Sequence, residues 1–338
     1  MAGNRITIRD VAREAGFSIA TVSKALNGVD VVKPDTKKQI LTVADRLHYV
    51  PNLMGKQLKN AQTKMLGFYT NSLRGPYFGS LVQSIAQEAE ALGYGINVFI
   101  TTDKKLILNS IMGNVVDGII GFEDLIDEKD MEAIKQENIK AVFIDRRTVS
   151  ANIGSVVFDS YKKGRQVTEF LIDKGHQKIA FINGFTGVFD SDERYRGFCD
   201  AMQGANLIFP SSYLLEGKFE EAAAFETVLD FLESTPYQQL PTAFVCGNDL
   251  SAIGACKAIL EKGFDIPSDF SIVGFDGIDL IDYFEPQIAT IKNPIEEQGR
   301  VAVRHLIDLI DGKTAGKALE LSGVFQPGST IRTITRKE

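Results

Sequence analysis

Apolar residues in the first fifty positions recur at helical spacing, whereas beyond residue 61 they gather into short continuous runs between amphipathic stretches. In the first segment Ile8, Val11, Ala12 and Ala15 share one face behind Thr7, which can cap a helix N-terminus. Gly16 can take the left-handed backbone of a sharp turn, and Ser18 can cap a second helix. That helix carries Val22 and Leu26 on one face and Thr21, Lys24 and Asn27 on others. Residues 29–50 continue as a loop and a third helix, with Ile40, Val43, Ala44 and Leu47 inward and Lys37, Lys38 and Arg46 outward. The pattern predicts three short helices around one small core, the first two forming a helix-turn-helix with a hydroxyl- and amide-rich second helix. A capped amphipathic pair also occurs in helical domains that touch no DNA, so this pattern alone leaves both readings open.

The rest of the chain alternates between strand and helix. Runs at 65–71 (MLGFYTN), 96–101, 117–122, 141–145, 155–159, 178–184, 243–249 and 270–276 are rich in Val, Ile and Phe, and a helix is predicted from Tyr77 to Leu92. Unalternated apolar strands between helices imply parallel sheets covered on both faces. About 270 residues exceed what one core usually spans, so two such α/β units are expected. Between head and body, Pro51 opens PNLMGKQLKN, which is too short to be a stable isolated helix and suits a segment that orders on binding. An ordinary interdomain linker is the alternative.

Charge sharpens the picture. The chain carries −7 overall, but residues 1–60 carry +5 and the remainder −12. A basic head on an acidic body is the asymmetry of a nucleic-acid binder, because phosphate neutralisation supplies most non-specific affinity. Enzyme readings find little support. GxGxxG in a strand-turn-helix context and GxxxxGK[ST] are missing, and His48, His176 and His305 lack metal-ligand spacing. No cofactor or metal is expected. Cys199, Cys246 and Cys256 lack CxxC spacing, which suits reduced thiols, and no signal-like or membrane-spanning apolar run is present. A cytoplasmic, nucleoid-associated protein is therefore expected.

The letters TIRDVAREAG…SIATVSKALN, Val31–Pro34 and HYVPN at His48–Asn52 resemble the lactose-repressor (LacI/GalR) family of bacterial regulators, and the resemblance extends over essentially the whole chain. It implies a head at 1–50, a hinge helix at 51–62 and a core at 63–338. The core would be two doubly wound lobes, at about 63–160 with 292–322 and about 161–291 with 323–338, as in periplasmic binding proteins. Carried over by position, Ile19, Ala20 and Lys24 would read bases, and Thr21, Ser23 and Asn27 would hold phosphates. The chemistry agrees: Ile19 and Ala20 offer apolar contact such as with a thymine methyl, and Lys24 can donate to guanine. Many members have Arg at the Lys24 position, and Lys lacks its planar fork. In the hinge, Leu58 matches the leucine that wedges into the minor groove, with Lys56 and Gln57 at polar positions. Gly55 replaces the usual Ala and lowers helix propensity by about 1 kcal/mol.

In open α/β sheets ligands bind beyond the C-terminal ends of the strands. Asn71, Ser72, Asp145, Arg146, Asp159, Asn248, Asp249 and Asp276 sit at such ends. By resemblance, Asn248 and Asp276 match sugar-hydroxyl positions, and Arg194 with Gly197 matches the R-x-x-G-[FY] motif. Asp192 stands where some sugar-binding members carry Arg. Tyr77, Phe78, Phe158 and Phe185 are candidate aromatic platforms, with core packing the alternative for each. Asp249 has the alternative of a helix cap, Arg194 that of pairing with a carboxylate. The implied protein is a homodimeric repressor of carbohydrate-utilisation genes, with a near-palindromic double-stranded operator and a sugar or sugar-phosphate effector. Control by a phosphorylated carrier protein or by a non-sugar metabolite is the alternative. No membrane partner is expected, nor a tetramer, since the chain stops soon after its last strand.

Overall fold

Helix α1 (Ile8–Ala15) ends where Gly16 takes φ +74°, a backbone that costs glycine little, and the chain turns into α2 (Ile19–Leu26). Ser18 caps α2 as expected, its Oγ accepting from the Thr21 N–H at 3.1 Å. Thr7 takes the N-cap of α1 as expected, and its N–H and hydroxyl both donate to Asp10 Oδ2, at 2.9 and 2.8 Å. Helix α3 (Pro34–Arg46) opens on a proline whose missing N–H would have had no helical partner. Val11, Val22 and Ile40, none of them accessible to solvent, join the three helices in one core, and Leu47 packs on its edge. Here the computed structural model describes residues 6–27, 31–50, 62–113, 115–122 and 125–334. Gly55, Lys56, Gln57 and Leu58 lie outside the described residues.

Met1–Thr63 and Lys64–Glu338 are separate compact units. In the larger unit the strands are β1 (Met65–Thr70), β2 (Gly95–Ile100), β3 (Gly118–Phe122), β4 (Ala141–Ile144), β5 (Ile153–Phe158), β6 (Ile179–Asn183), β7 (Leu214–Glu216), β8 (Ala243–Cys246), β9 (Ser271–Asp276), β10 (Ala289–Lys292), β11 (Ala318–Leu321) and β12 (Val324–Gln326). They form two six-stranded sheets, ordered β11-β5-β4-β3-β1-β2 and β12-β10-β9-β8-β6-β7. Every pairing is parallel except β10 with β12. Because β11 joins the first sheet and β12 the second, the chain passes between the lobes at 159, 293–294 and 322–323.

Between the strands run α4 (Pro76–Ala91), α5 (Lys104–Met112), α6 (Glu128–Gln136), α7 (Ser160–Asp173), α8 (Phe189–Gly204), α9 (Glu221–Ser234), α10 (Asp249–Glu261) and α11 (Ile295–Ile310). Strand β6 shows why its apolar run is continuous. Ala180 and Ile182 enter the core with α9 and α10, whereas Ile179 and Phe181 enter the core with α7 and α8. Helices α7 and α8 approach closely at two glycines. A Cβ on Gly197 would collide with the Tyr161 carbonyl oxygen, and one on Gly164 with that of Arg194. This close approach gives the glycine of R-x-x-G its physical reason, since it lets the helix carrying Arg194 lie against α7.

Candidate functional site

The exposed side of α2 is built by what its other side buries. Val22 and Ala25 face the core, which turns Ile19, Ala20, Lys24 and Asn27 outward, with Thr21 and Ser23 partly covered. Ile19 is 46% exposed although it is a large apolar residue, so it is not a core residue. Ser23 and Asn27 are tied together at the helix end, the Asn27 amide donating to the Ser23 carbonyl at 2.8 Å and to its hydroxyl at 3.4 Å. The helix therefore presents an apolar pair and a lysine at its exposed surface, with hydroxyls beside them. Arg46 on α3 is held by Glu14 of α1 at 2.8 Å, which fixes the first helix against the third.

In the larger unit a cavity of about 110 Å³ lies between the lobes, lined by both. Cavities of roughly 150 Å³ take one six-membered ring, so the scale suits a small cyclic ligand. From the first lobe come Arg74, Tyr77, Phe78, Phe122 and Asp145, and from the second Asp190, Arg194, Phe219, Asn248 and Asp276. Tyr77, Phe78 and Asp190 come from the first turns of helices, Arg194 from a second turn, Phe122, Asp145 and Asp276 from the C-terminal ends of strands, and Arg74 and Phe219 from loops. Asp145 and Asp276 both take positive φ immediately at strand ends, 54° and 103°, which turns each side chain out of its sheet.

On the first-lobe wall, Gln298 Nε2 donates to Asp145 Oδ1 at 2.7 Å. The Tyr77 hydroxyl reaches both Asp145 Oδ2 (2.9 Å) and Gln298 Oε1 (2.8 Å), and its single proton serves one at a time. Burial, and then the Asp145 carboxylate, push the Tyr77 phenol well above its usual range, so it stays a neutral donor. On the second-lobe wall, Arg194 Nη2 stands 3.3 Å from both Asp190 Oδ2 and Asp276 Oδ1, while Nη1 donates to the Gly247 carbonyl at 2.6 Å. Burial raises both carboxyls, against the pull of the guanidinium. Burial also opposes the charge of Arg194, but its flanking carboxylates win and raise it. The guanidinium lies 4.8 Å from the centre of the Phe275 ring, and its Nε is buried without a partner.

The profile of the bacterial regulatory proteins of the lacI family matches residues 7–52, and that of a periplasmic binding protein-like domain matches residues 168–330. The chain is 30% identical over 334 residues to the probable HTH-type transcriptional repressor ExuR of Bacillus subtilis (strain 168), covering 98% of this chain and 99% of that relative. It belongs to the lacI family of bacterial regulatory proteins. To a second lacI-type relative, catabolite control protein A of Priestia megaterium, it is 31% identical over 319 residues, 93% of this chain and 95% of that one. A crystal structure of the Lac repressor bound to ONPG in its repressed state superimposes with a TM-score of 0.82 at 26% identity, covering 97% of this chain and all of that one.

Within this lacI-family body, Tyr77, Phe78, Asp145, Arg194, Asn248 and Asp276 come together at the cavity as the sequence suggested. Four expected residues do not line it, among them Phe185, which is exposed and packs edge-on against Phe219. Phe158 is 2% exposed in the first-lobe core, because β5 is buried along its whole length. Asp192 is exposed, its carboxylate accepting the Gly187 N–H at 3.2 Å across the first turn of α8. Ser72 holds the loop after β1, its hydroxyl accepting the Arg74 N–H at 3.1 Å. Asn248 lines the cavity with its amide already engaged: Oδ1 accepts from Ser251 N–H at 2.9 Å, and Nδ2 donates to the Phe219 carbonyl at 3.0 Å.

Asp249 is not the helix cap, since Asn248 takes that place. Its carboxylate accepts instead from Gly277 N–H, Ile278 N–H and the Thr290 hydroxyl, at 2.7, 3.0 and 2.6 Å, and burial raises its pKa well above the ordinary range. Sequence reasoning missed Asp190, Phe219 and Gln298. Asp190 had a signal, standing one helical turn before Arg194. Phe219 and Gln298 had none, because each reaches its place from a segment whose fold is set by distant packing.

Proposed function

We propose that this protein is a ligand-responsive, sequence-specific DNA-binding repressor that works as a homodimer. Its most apt effector is a sugar-like molecule held between the lobes, and it controls carbohydrate-utilisation genes. One observation carries the reading: the head that exposes Ile19, Ala20 and Lys24 on one helix belongs to the same chain as a cavity with a Tyr77–Asp145 wall facing an Asp190–Arg194–Asp276 wall. A ligand touching both walls has different contacts when the lobes move, and that difference is what an effector needs to shift affinity for DNA. A coupling of about 1–3 kcal/mol changes operator affinity roughly 5- to 150-fold. Thr21, Ser23 and Asn27 are assigned to phosphates, and the hinge residues Gly55, Lys56, Gln57 and Leu58 to the minor groove.

Apolar surface supports self-association. Strand β2 is an edge of its sheet and exposes Val98 (40%) and Ile100 (51%), and Leu106 (51%) on α5 and Val115 (41%) are also exposed. A two-fold dimer matches a near-palindromic operator. We read the protein as a regulator and not an enzyme: His176 and Cys246 are held in its core, and relatives it matches include named transcriptional repressors. No described helix is long and apolar enough to cross a membrane.

Selection of the full chain against random duplexes tests the reading. A near-palindromic site is expected, with an affinity changed by a sugar that also raises the melting temperature. Selection that enriches no two-fold site sinks the repressor assignment. Stabilisation by a phosphorylated carrier protein, with no sugar acting, moves control to a protein corepressor.

A further inference from the structure

The cavity between the lobes contains more buried negative charge than positive. Asp145, Asp190 and Asp276 line it at 5%, 6% and 7% exposure, and Arg194 faces them at 3%. Arg74, the other lining cation among the described residues, is exposed at the mouth, where solvent screens it. The Asn248 amide commits one hydrogen to the Phe219 carbonyl and one oxygen lone pair to the Ser251 N–H, and it carries no charge. Contact with a ligand is therefore open to carboxylate oxygens, the Tyr77 phenol, the neutral Asn248 amide and the unpartnered Nε of Arg194.

Resting on the reading of this cavity as the effector site, we propose that it selects an uncharged polyhydroxylated ring and rejects phosphorylated and carboxylated forms, with Asp190 setting that selectivity. A hydroxyl is the group that meets both demands, donating to a carboxylate and accepting from Arg194 Nε. An ammonium donates but cannot accept. A phosphate or carboxylate accepts but brings its charge against a site already rich in carboxylates, in surroundings that screen little. Pro76, Phe78, Phe122, Val188, Leu250 and Ile278 supply apolar walls for the C–H faces of a ring.

Asp190 decides the matter because of what it does to the one buried cation. It lies one turn before Arg194, with Oδ2 3.3 Å from Nη2, while its Oδ1 accepts the Ser160 hydroxyl at 2.9 Å. Asp276 sits at the same distance from the same nitrogen. With two carboxylates on one guanidinium, no positive charge is left over for an anionic ligand.

Calorimetric titration of the full chain tests this with glucose, galactose, ribose and cellobiose beside glucose 6-phosphate, galacturonate, ribose 5-phosphate and cellobionate. At least one uncharged sugar is expected to bind, and its anionic counterpart to bind at least about 10-fold more weakly. An anion that binds as tightly as its uncharged counterpart overturns the charge selectivity while leaving the cavity as the effector site. A panel in which nothing binds overturns the effector reading itself. In Asp190→Asn the gap between uncharged and anionic members should narrow by about 10-fold. An unchanged gap in a variant that still binds the uncharged sugar removes Asp190 from the role.

Discussion

The Ser322 hydroxyl donates to the Asp159 carboxylate at 2.7 Å, joining two different passages of the chain between the lobes. The Gly323 N–H adds a second bond at 3.3 Å, and Lys163 Nζ stands 3.9 Å away. Asp159 is 7% exposed, so removing it strands buried donors. Asp159→Ala should cost about 1–3 kcal/mol in urea unfolding, and Asp159→Asn less because an acceptor remains. Equal losses in the two variants would show that the acceptor is not what matters.

Lys24 reaches out from α2 with an unforked charge. Lys24→Ala should weaken binding to the selected operator by about 1–3 kcal/mol and relax preference at one base pair only. Lys24→Arg should sharpen that preference. A loss spread evenly over all sequences would make Lys24 a phosphate contact.

Leu58→Ala should lower specific operator affinity and leave non-specific binding largely intact, because a wedge acts only where the duplex is kinked. Titrations on specific and scrambled duplexes read the two separately. Equal loss on both would remove the wedge assignment.

Arg194→Met leaves Asp190 and Asp276 buried without their cation. The expected cost at neutral pH is about 3–5 kcal/mol. Without the guanidinium both carboxyls rise further above their unfolded values. The native state then binds protons more tightly than the unfolded chain, and the variant should lose stability as pH rises from about 4 through the folded values. Chemical unfolding at several pH values gives the slope, and a flat profile would refute the uncompensated charge.

His176 is fully buried, with Nδ1 2.8 Å from the Thr242 hydroxyl and Nε2 3.2 Å from the Arg332 carbonyl. Burial lowers its pKa to about 4. The unfolded chain takes up a proton near 6.5 that the native state refuses, so this stability is complete above 6.5. It is lost as pH falls from 6.5 towards 4, amounting to about 3 kcal/mol by the lower end. His176→Asn should flatten the fall that the native chain shows between pH 7 and 5.

The head could be read closely from sequence because its three helices bury one another: Val11, Val22 and Ile40 meet at local helical spacing. The strand-end rule found Asp145 and Asp276 for a similar reason, since each follows an apolar run at once. What escaped depends on distant partners. Tyr77 and Gln298 are 221 residues apart, and nothing in either neighbourhood announces their contact. Strands β7, β10, β11 and β12 have three or four residues each and too little pattern to be distinguished from loops. Asn248 reaches the cavity, but its amide is partly committed, because a polar side chain at a helix start serves the helix first.

The exchange of β11 and β12 between the sheets also orders events during synthesis. The first sheet cannot gain its last strand until residue 321 has emerged, by which time β6–β10 of the second have all been made. Neither lobe corresponds to an unbroken stretch of chain, so neither sheet has all its strands until residues 318–326 are made. The body must mature late and as a whole, with a long-range strand pairing as its closing step.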